Sequence, residues 1–232
     1  MKPQTAIIKI KTRLNKLDSF DYDNIEDWVI VEAVNKAALE ICRSIIQGKV
    51  QGLDDGAEES SSRIADIQCL LKTEPINGNN QSTLYFETKI PKDYLWYNSL
   101  TVFASKDNCK DKKIKSDLRE QANVETLLQD HNSKPSFEWR ETFHTFLGNK
   151  LRVYTNNEFD IEKVELTYYR KPIEMDIFGY THEDGRESKN VDLEFKDDFA
   201  EVILDYAASI IAGDIESINQ TQLNLQRSQM NK

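Results

Sequence analysis

Apolar residues recur at helical spacing near the N-terminus. Within residues 24–47 they occur every three or four positions, as on one face of an α-helix, at Ile30, Val34, Ala37, Ile41 and Ile45. Asp27 falls in the first turn, where the helix dipole favours an acid, and Gly48 can end the helix. Residues 4–17 show the same spacing over a shorter length. The pattern predicts two helices at the start of the chain.

From about residue 63 to residue 172 the pattern changes to alternating apolar and polar positions rich in β-branched and aromatic residues. Segments 64–70 and 82–88 flank a turn at residues 75–80, which predicts a hairpin. Further strands are predicted at residues 99–104, 138–146, 150–154 and 163–170, and a short polar helix at residues 117–129. Most aromatic side chains of this region are interpreted as core: Tyr85, Phe86, Tyr94, Trp96, Tyr97, Phe137, Trp139, Phe143 and Phe146. The stretch 94–97 alternates less clearly and is interpreted as a partial contact surface.

The strongest amphipathic stretch opens after Asp192. It carries Phe195, Phe199, Val202, Ile203, Tyr206, Ala207, Ile210 and Ile211. Beyond Gly213 the apolar period persists, but its flanks become asparagine and glutamine, so this extension has too few apolar contacts to stand alone. It therefore either frays or packs on another chain, and we predict packing on another chain. The predicted interface with another subunit consists of Ile215, Ile218, Gln222 and Leu225.

These elements predict an α+β fold. The N-terminal helices and the long C-terminal helix are expected to form a helical bundle, with a β-rich, sandwich-like or barrel-like insertion in the middle. The predicted parts are an N-terminal helical part at residues 1–62, the insertion at 63–189 with its short helix near 117–129, and the C-terminal helix at 190–232. In the bundle, Trp28 and Ile41 are expected to face Phe199, Ile203 and Tyr206.

Charge and composition narrow the function classes. The 232 residues carry a net charge of -10, which argues against sequence-independent binding of nucleic acid by the whole surface. A channel that lets DNA pass is compatible with this charge. The mean hydropathy of -0.63 indicates a soluble chain that does not span a membrane. Three scattered cysteines and the lack of a signal peptide at the N-terminus predict a protein made in a reducing cytoplasm.

Motifs of enzymes are absent from the sequence, so no catalytic residue, cofactor or metal ligand is predicted. His131, His144 and His182 have no partner at metal-ligand spacing and are interpreted as solvated or packed side chains. The combination of Asp176 with residues 194–196, Glu-Phe-Lys, is weakly similar to metal-dependent nucleases. These residues are expected in the first turn of a helix rather than on adjacent strands, so this interpretation is the least favoured.

A lysine cluster comprises Lys106, Lys110, Lys112, Lys113 and Lys115. Because no aromatic residues are interleaved with these lysines, the segment is interpreted as a solvated loop. A contact with DNA or with an acidic neighbouring subunit is the alternative.

The C-terminal third carries a resemblance. Residues 164–172, VELTYYRKP, are followed by VDLEF at 191–195, by FAEVILDYAA at 199–208 and by NQTQLNLQ at 219–226. This order resembles the head-to-tail adaptor proteins of short-tailed bacteriophages, also called connector or tail tubular proteins, and most of all the ring proteins of crAss-like phages. The helices before the β-rich part and the helix after it agree with that organisation.

The resemblance implies a non-catalytic structural protein of the virion. Such a protein forms a ring, usually of twelve copies, below the portal protein, extends the DNA channel and offers a platform for downstream tail or ring proteins. It acts in DNA retention and ejection, without sequence-specific DNA binding or membrane contact. It would lie at the head-tail junction after assembly in the bacterial cytoplasm. A cytoplasmic interaction domain without catalysis is the alternative, ahead of the nuclease.

Overall fold

The computed structural model describes residues 1–17, 25–47, 65–80, 84–107, 109–182 and 185–215. The chain divides into two compact units. The sheet unit is Leu71–Lys171, and the helical unit combines Met1–Leu70 with Pro172–Lys232.

The sheet unit is built on one eight-stranded mixed sheet. Its strands are β1 Leu71–Ile76, β2 Asn79–Asn80, β3 Tyr85–Lys89, β4 Tyr94–Lys106, β5 Cys109–Leu118, β6 Glu141–Leu147, β7 Lys150–Tyr154 and β8 Asp160–Arg170. Their order across the sheet is β1-β8-β4-β5-β6-β7-β3-β2. Strands β5 and β6 run parallel, and the other described pairs are antiparallel.

The sheet curls so that its two halves share one core. Buried side chains of β4 and β8, such as Val102 and Leu166, belong to the same apolar cluster as Phe86 of β3 and Val153 of β7. Strands in a sheet are spaced by about 4.8 Å, so a flat sheet would keep β3 several strands away from β4 and β8. The curl brings the inner faces together, and the alternation along each strand places one apolar set inside.

The chain enters and leaves this sheet through neighbouring strands. Strand β1 pairs with β8 in antiparallel register, and Leu71 lies opposite Tyr169. Between β5 and β6 the chain makes a 3₁₀ turn and the short helix α3 at Val124–Gln129. That connection is long enough to return the chain for the parallel pairing.

The helical unit contains α1 at Pro3–Leu17, α2 at Asp27–Ile46 and α4 at Asp197–Ile215. The three helices contact one another. The described residues between 172 and 196 form no helix or named strand, and their backbone is held by isolated backbone bridges and by side chains. The Asn35 amide of α2 accepts from the Met175 N–H at 2.8 Å and donates to the Met175 carbonyl at 2.9 Å.

The predicted fold class is wrong. The protein is not a helical bundle with a sandwich-like or barrel-like insertion, because its largest element is the single curled mixed sheet, with seven strands of substantial length. The predicted and observed folds differ because segments interpreted as loops form long strands. Residues 106–115, interpreted as a loop, lie largely in β5, which pairs with β4 from Leu100 to Lys106.

The structure also corrects several local predictions. Residues 65–70 form helical turns, and β1 begins only at Leu71 and pairs with β8 instead of forming the predicted hairpin. The predicted helix at 117–129 is reduced to Val124–Gln129, because its start belongs to β5. Trp28, expected in the helix core, is partly exposed and donates through Nε1 to Glu26.

Candidate interaction surface

The predicted portal or subunit interface is mostly beyond the described residues. Ile215 is the last residue of α4, but its side chain is not among those described. Ile218, Gln222 and Leu225 lie outside the described residues. Upstream on α4, Ile203, Ala207, Ile210 and Ile211 are buried, so the apolar stripe serves the core of the helical unit up to that point.

The predicted lysine cluster lies on two paired strands rather than in a loop, because Lys106 ends β4 and the other four lysines belong to β5. The ammonium group of Lys113 lies 5.4 Å from the ring centre of Phe103, which is approached from β8 by Lys163 at 5.0 Å. Lys112 lies 4.3 Å from the ring centre of Phe137. These cation–π contacts give part of the cluster a packing role within the sheet unit.

Of the three histidines, His144 is the one enclosed in the sheet core. Its Nδ1 lies 2.8 Å from Ser116 Oγ, and its ring contacts those of Tyr97 and Phe146. Its Nε2 is buried and has no hydrogen-bond partner among the described residues. Burial lowers the pKa of His144 to about 4, so the ring is neutral at pH 7.

Asp176 organises the irregular segment of the helical unit. Its Oδ1 accepts from the Tyr180 hydroxyl at 2.6 Å and from the Ile177 N–H at 2.8 Å. Its Oδ2 lies 3.1 Å from His182 Nε2 and accepts from the Lys189 N–H at 2.9 Å. Burial alone would raise the pKa of Asp176, but these hydrogen bonds lower it. Four contacts fill the acceptor sites of this carboxylate.

The two acids of the nuclease-like pattern are thus both engaged in local contacts. Glu194 lies just before α4 and accepts from the Ile173 N–H at 2.8 Å. Asp176 pairs by backbone with Val191, not with a strand that carries Glu194. Among the described residues, no group of three or more histidine, cysteine, aspartate or glutamate side chains is placed to hold a metal.

The sheet unit carries two clusters of charged side chains. Tyr168 of β8 has its hydroxyl 2.8 Å from Asp93 and 3.1 Å from Glu74, and Lys72 contacts both carboxylates. Glu87 of β3 is nearly buried and accepts from Lys150 at 2.6 Å and from Arg152 at 2.8 Å. The hydrogen bonds from Lys150 and Arg152 outweigh burial and lower the pKa of Glu87.

Replacing Glu87 by Gln is expected to lower the stability at pH 7, because two cations then lose their shared carboxylate. Since the folded pKa of Glu87 lies below its ordinary value of about 4.3, its contribution is present above that pH and is lost as the pH falls through the folded value. Urea unfolding between pH 7 and pH 3 should show a smaller acid loss in the variant. Glu162→Gln, an exposed carboxylate on β8, is the control. Equal curves for Glu87→Gln and wild type would contradict the prediction.

An open cleft lies at one end of the sheet unit. It has a volume of about 540 Å³, within the range of roughly 300–1,000 Å³ common for binding pockets. Its lining combines two partly buried aromatic rings with two exposed lysines: Ile90, Pro91, Lys92, Tyr94, Phe146, Gly148, Asn149 and Lys171. No carboxylate in the described part of the chain pairs with Lys92 or Lys171. The cleft therefore offers apolar surface beside unneutralised positive charge.

Trp139 is the most exposed large apolar side chain among those described, with 81% of its surface accessible. It lies in the turn that precedes β6. Ser136 and Glu141 close this turn by two backbone hydrogen bonds of 2.8 and 3.1 Å, and Phe137 anchors it in the core. The sequence interpretation of Trp139 as a core residue is wrong, because the turn interrupts the alternation of the predicted strand 138–146.

No protein-family model matches the chain, and no curated protein matches its sequence. Among the helices in the described part of the chain, none has the length and apolar character needed to span a membrane.

Proposed function

We propose that the chain is a structural subunit of a head-to-tail connector of a short-tailed bacteriophage. In this role it forms a homo-oligomeric ring below the portal protein, extends the DNA channel and carries downstream tail or ring proteins. DNA passes through the ring without sequence-specific contacts. The ring acts in genome retention and ejection rather than in catalysis.

The observation that carries this proposal is the exposure of Trp139 on a fixed turn. Tryptophan is enriched at the centres of protein interfaces because it buries a large area with little loss of conformational freedom. A monomer that exposes 81% of such a side chain leaves a large apolar group in water. Docking onto another protein surface removes it from water, as expected of a subunit in an assembly.

The order of elements in the C-terminal third supports the same proposal. Residues 164–170 lie in β8, the backbone then leaves the sheet through Lys171 and Pro172, and α4 begins at Asp197 after an irregular connection. This order of strand, connection and helix is compatible with the adaptor proteins that the sequence resembles. Helix α4 also reaches Ile215, the first residue of the predicted interface.

The proposal is tested by assembly on the portal. Purified chain is mixed with the portal protein of the same virus and examined by mass photometry and negative-stain microscopy. Rings of the chain, free or attached to the portal, are expected. A chain that remains monomeric and unattached at all concentrations would overturn the proposal.

Deleting residues 220–232 is expected to leave a folded monomer that no longer docks, because Gln222 and Leu225 of the interface predicted to bind the portal or a neighbour are lost. Portal occupancy, counted in images, should fall at least tenfold. Deleting only residues 229–232, which spares Gln222 and Leu225, is the control and should dock normally. Unchanged occupancy of the longer deletion would show that this segment does not form the interface.

A further inference from the structure

The turn that carries Trp139 projects as a rigid knob. Its backbone is closed between Ser136 and Glu141, and Arg140 adopts a φ of 59° inside it. The Phe137 side chain is buried against Phe159, with ring centroids 6.1 Å apart. A turn whose backbone is already closed loses little further backbone freedom when its side chain binds. The knob is therefore preorganised for insertion into a pocket.

The cleft has the properties needed to receive such a knob. Tyr94 and Phe146 face each other in it, with ring centroids 5.7 Å apart, and Ile90 and Pro91 add apolar surface. Its volume of about 540 Å³ exceeds that of one aromatic side chain. Aromatic rings that meet in offset or tilted geometry gain about 0.5–1.5 kcal/mol beyond their burial.

Knob and cleft lie at opposite ends of one strand. Trp139 precedes β6 by two residues, whereas Phe146, Gly148 and Asn149 of the cleft lie at its far end. Seven residues of extended strand span about 20 Å, so the Trp139 side chain does not reach the cleft of its own chain. Only another molecule can bring the two surfaces together.

Charge favours a second copy of the same chain. Beside Trp139 the knob carries two exposed acids, Glu138 and Glu141, and one exposed base, Arg140, so its net charge is -1, and none of the three forms an ion pair among the described residues. The cleft carries the two unpaired lysines, Lys92 and Lys171. Opposite charges at the rim of an interface steer association and fix its orientation.

We propose that Trp139 of one copy inserts into the cleft formed by Ile90, Tyr94 and Phe146 of the next copy, with Glu138 beside Lys92 and Lys171. Because the two surfaces differ, the contact is heterologous, so each copy gives one knob and receives another. Repetition of a heterologous contact closes into a ring or grows into a filament. Closure into a ring rests on the function proposed above, whereas the contact itself does not depend on a portal.

Variants of the knob and of the cleft test each half of the contact separately. Trp139→Ala is expected to weaken self-association at least 30-fold, as for central aromatic residues of interfaces. Lys92→Glu combined with Lys171→Glu is expected to weaken it about tenfold through repulsion of Glu138. Phe178→Ala is the matched control, because Phe178 is also an aromatic residue, 75% exposed, but belongs to neither surface. Association is measured by sedimentation velocity over a range of concentrations.

Mixing the variants tests the direction of the contact. The Trp139→Ala chain keeps an intact cleft, and the Lys92→Glu/Lys171→Glu chain keeps an intact knob. Each alone is expected to be monomeric at a concentration where their mixture gives heterodimers without larger assemblies, since one intact contact joins each pair. A symmetric contact of knob with knob would give no such dimers and would overturn the proposal.

The outcomes separate this inference from the proposed function. Wild-type rings that persist unchanged in the Trp139→Ala and double-lysine variants would overturn the knob-and-cleft contact and leave the connector function standing. Self-association that requires Trp139 but never attaches to a portal would support the contact and overturn the connector. Circular dichroism of each variant, unchanged from wild type, confirms that the loss is one of binding and not of folding.

Discussion

Acidification from pH 7 to pH 4 is expected to remove about 3 kcal/mol of folding stability at a single side chain, His144. The ring is buried with Nε2 unpartnered among the described residues, so a proton would place an uncompensated charge in the core. Its folded pKa of about 4 lies below the unfolded value of about 6.5. The unfolded chain therefore binds the proton first, and stability falls as the pH drops between these values.

Urea unfolding at half-unit steps of pH measures this effect. His144→Phe should flatten the stability profile between pH 6.5 and pH 4.5, a range above that in which Glu87 contributes. Ser116→Ala is the matched control: it removes the hydroxyl next to Nδ1 but keeps the imidazole, so its profile should keep the slope at lower overall stability. A wild-type profile that is level across this range would contradict the buried neutral state of His144.

Ile203→Asp is expected to destabilise the helical unit by more than about 4 kcal/mol, which is most of the total stability of a domain near the lower limit of about 5 kcal/mol. Ile203 is fully buried in α4, which contacts both α1 and α2. Aspartate there would bury an unpaired charge and leave unfilled volume.

Val202→Asp is the neighbouring control, because Val202 lies on the same helix with 53% of its surface exposed. Soluble yield and thermal unfolding compare the two variants. Only the change at residue 203 should abolish the cooperative transition. Equal melting of the two proteins would show that this face of α4 is not the core face.

The helical elements were the most predictable part of the fold. Helix α2 begins and ends within a few residues of its predicted bounds because its apolar positions repeat over five turns. For α4 the start differs, since Glu194 and Phe195 precede the helix and the Glu194 carboxylate accepts a hydrogen bond from the connection before it. Periodicity shows which residues would share a helix face. It does not show which of them lie before the helix and bind a neighbouring loop.

The sheet was less predictable because the pairing of strands, rather than local composition, determines which segments form strands. Strand β5 contains four lysines and two aspartates in ten residues, a composition that disfavours strands. It forms nevertheless because β4 pairs with one of its edges and β6 with the other, and because Phe103 and Phe137 pack under Lys113 and Lys112. These partners are distant or ambiguous in sequence, so local composition indicated a loop instead.

The sequence did not predict the cleft or the Trp139 knob for a similar reason. Three separate segments, around residues 90–94, 146–149 and 171, line the cleft, and no local pattern links them. For Trp139 a signal existed in the sequence, since Pro135 and Ser136 precede it and favour a turn before β6. The stretch 94–97 alternates less clearly than the other strands, and Tyr94 of this stretch lines the cleft.

Because its entry and exit strands are adjacent, the sheet unit can be exchanged as a module. Because Leu71 lies opposite Tyr169, the two points at which the main chain crosses into this unit are neighbours in one β-ladder. A segment whose ends meet can be lengthened, shortened or replaced while the flanking chain keeps its path. Related proteins that keep the helices but meet different neighbours would then be expected to diverge most between these two crossings.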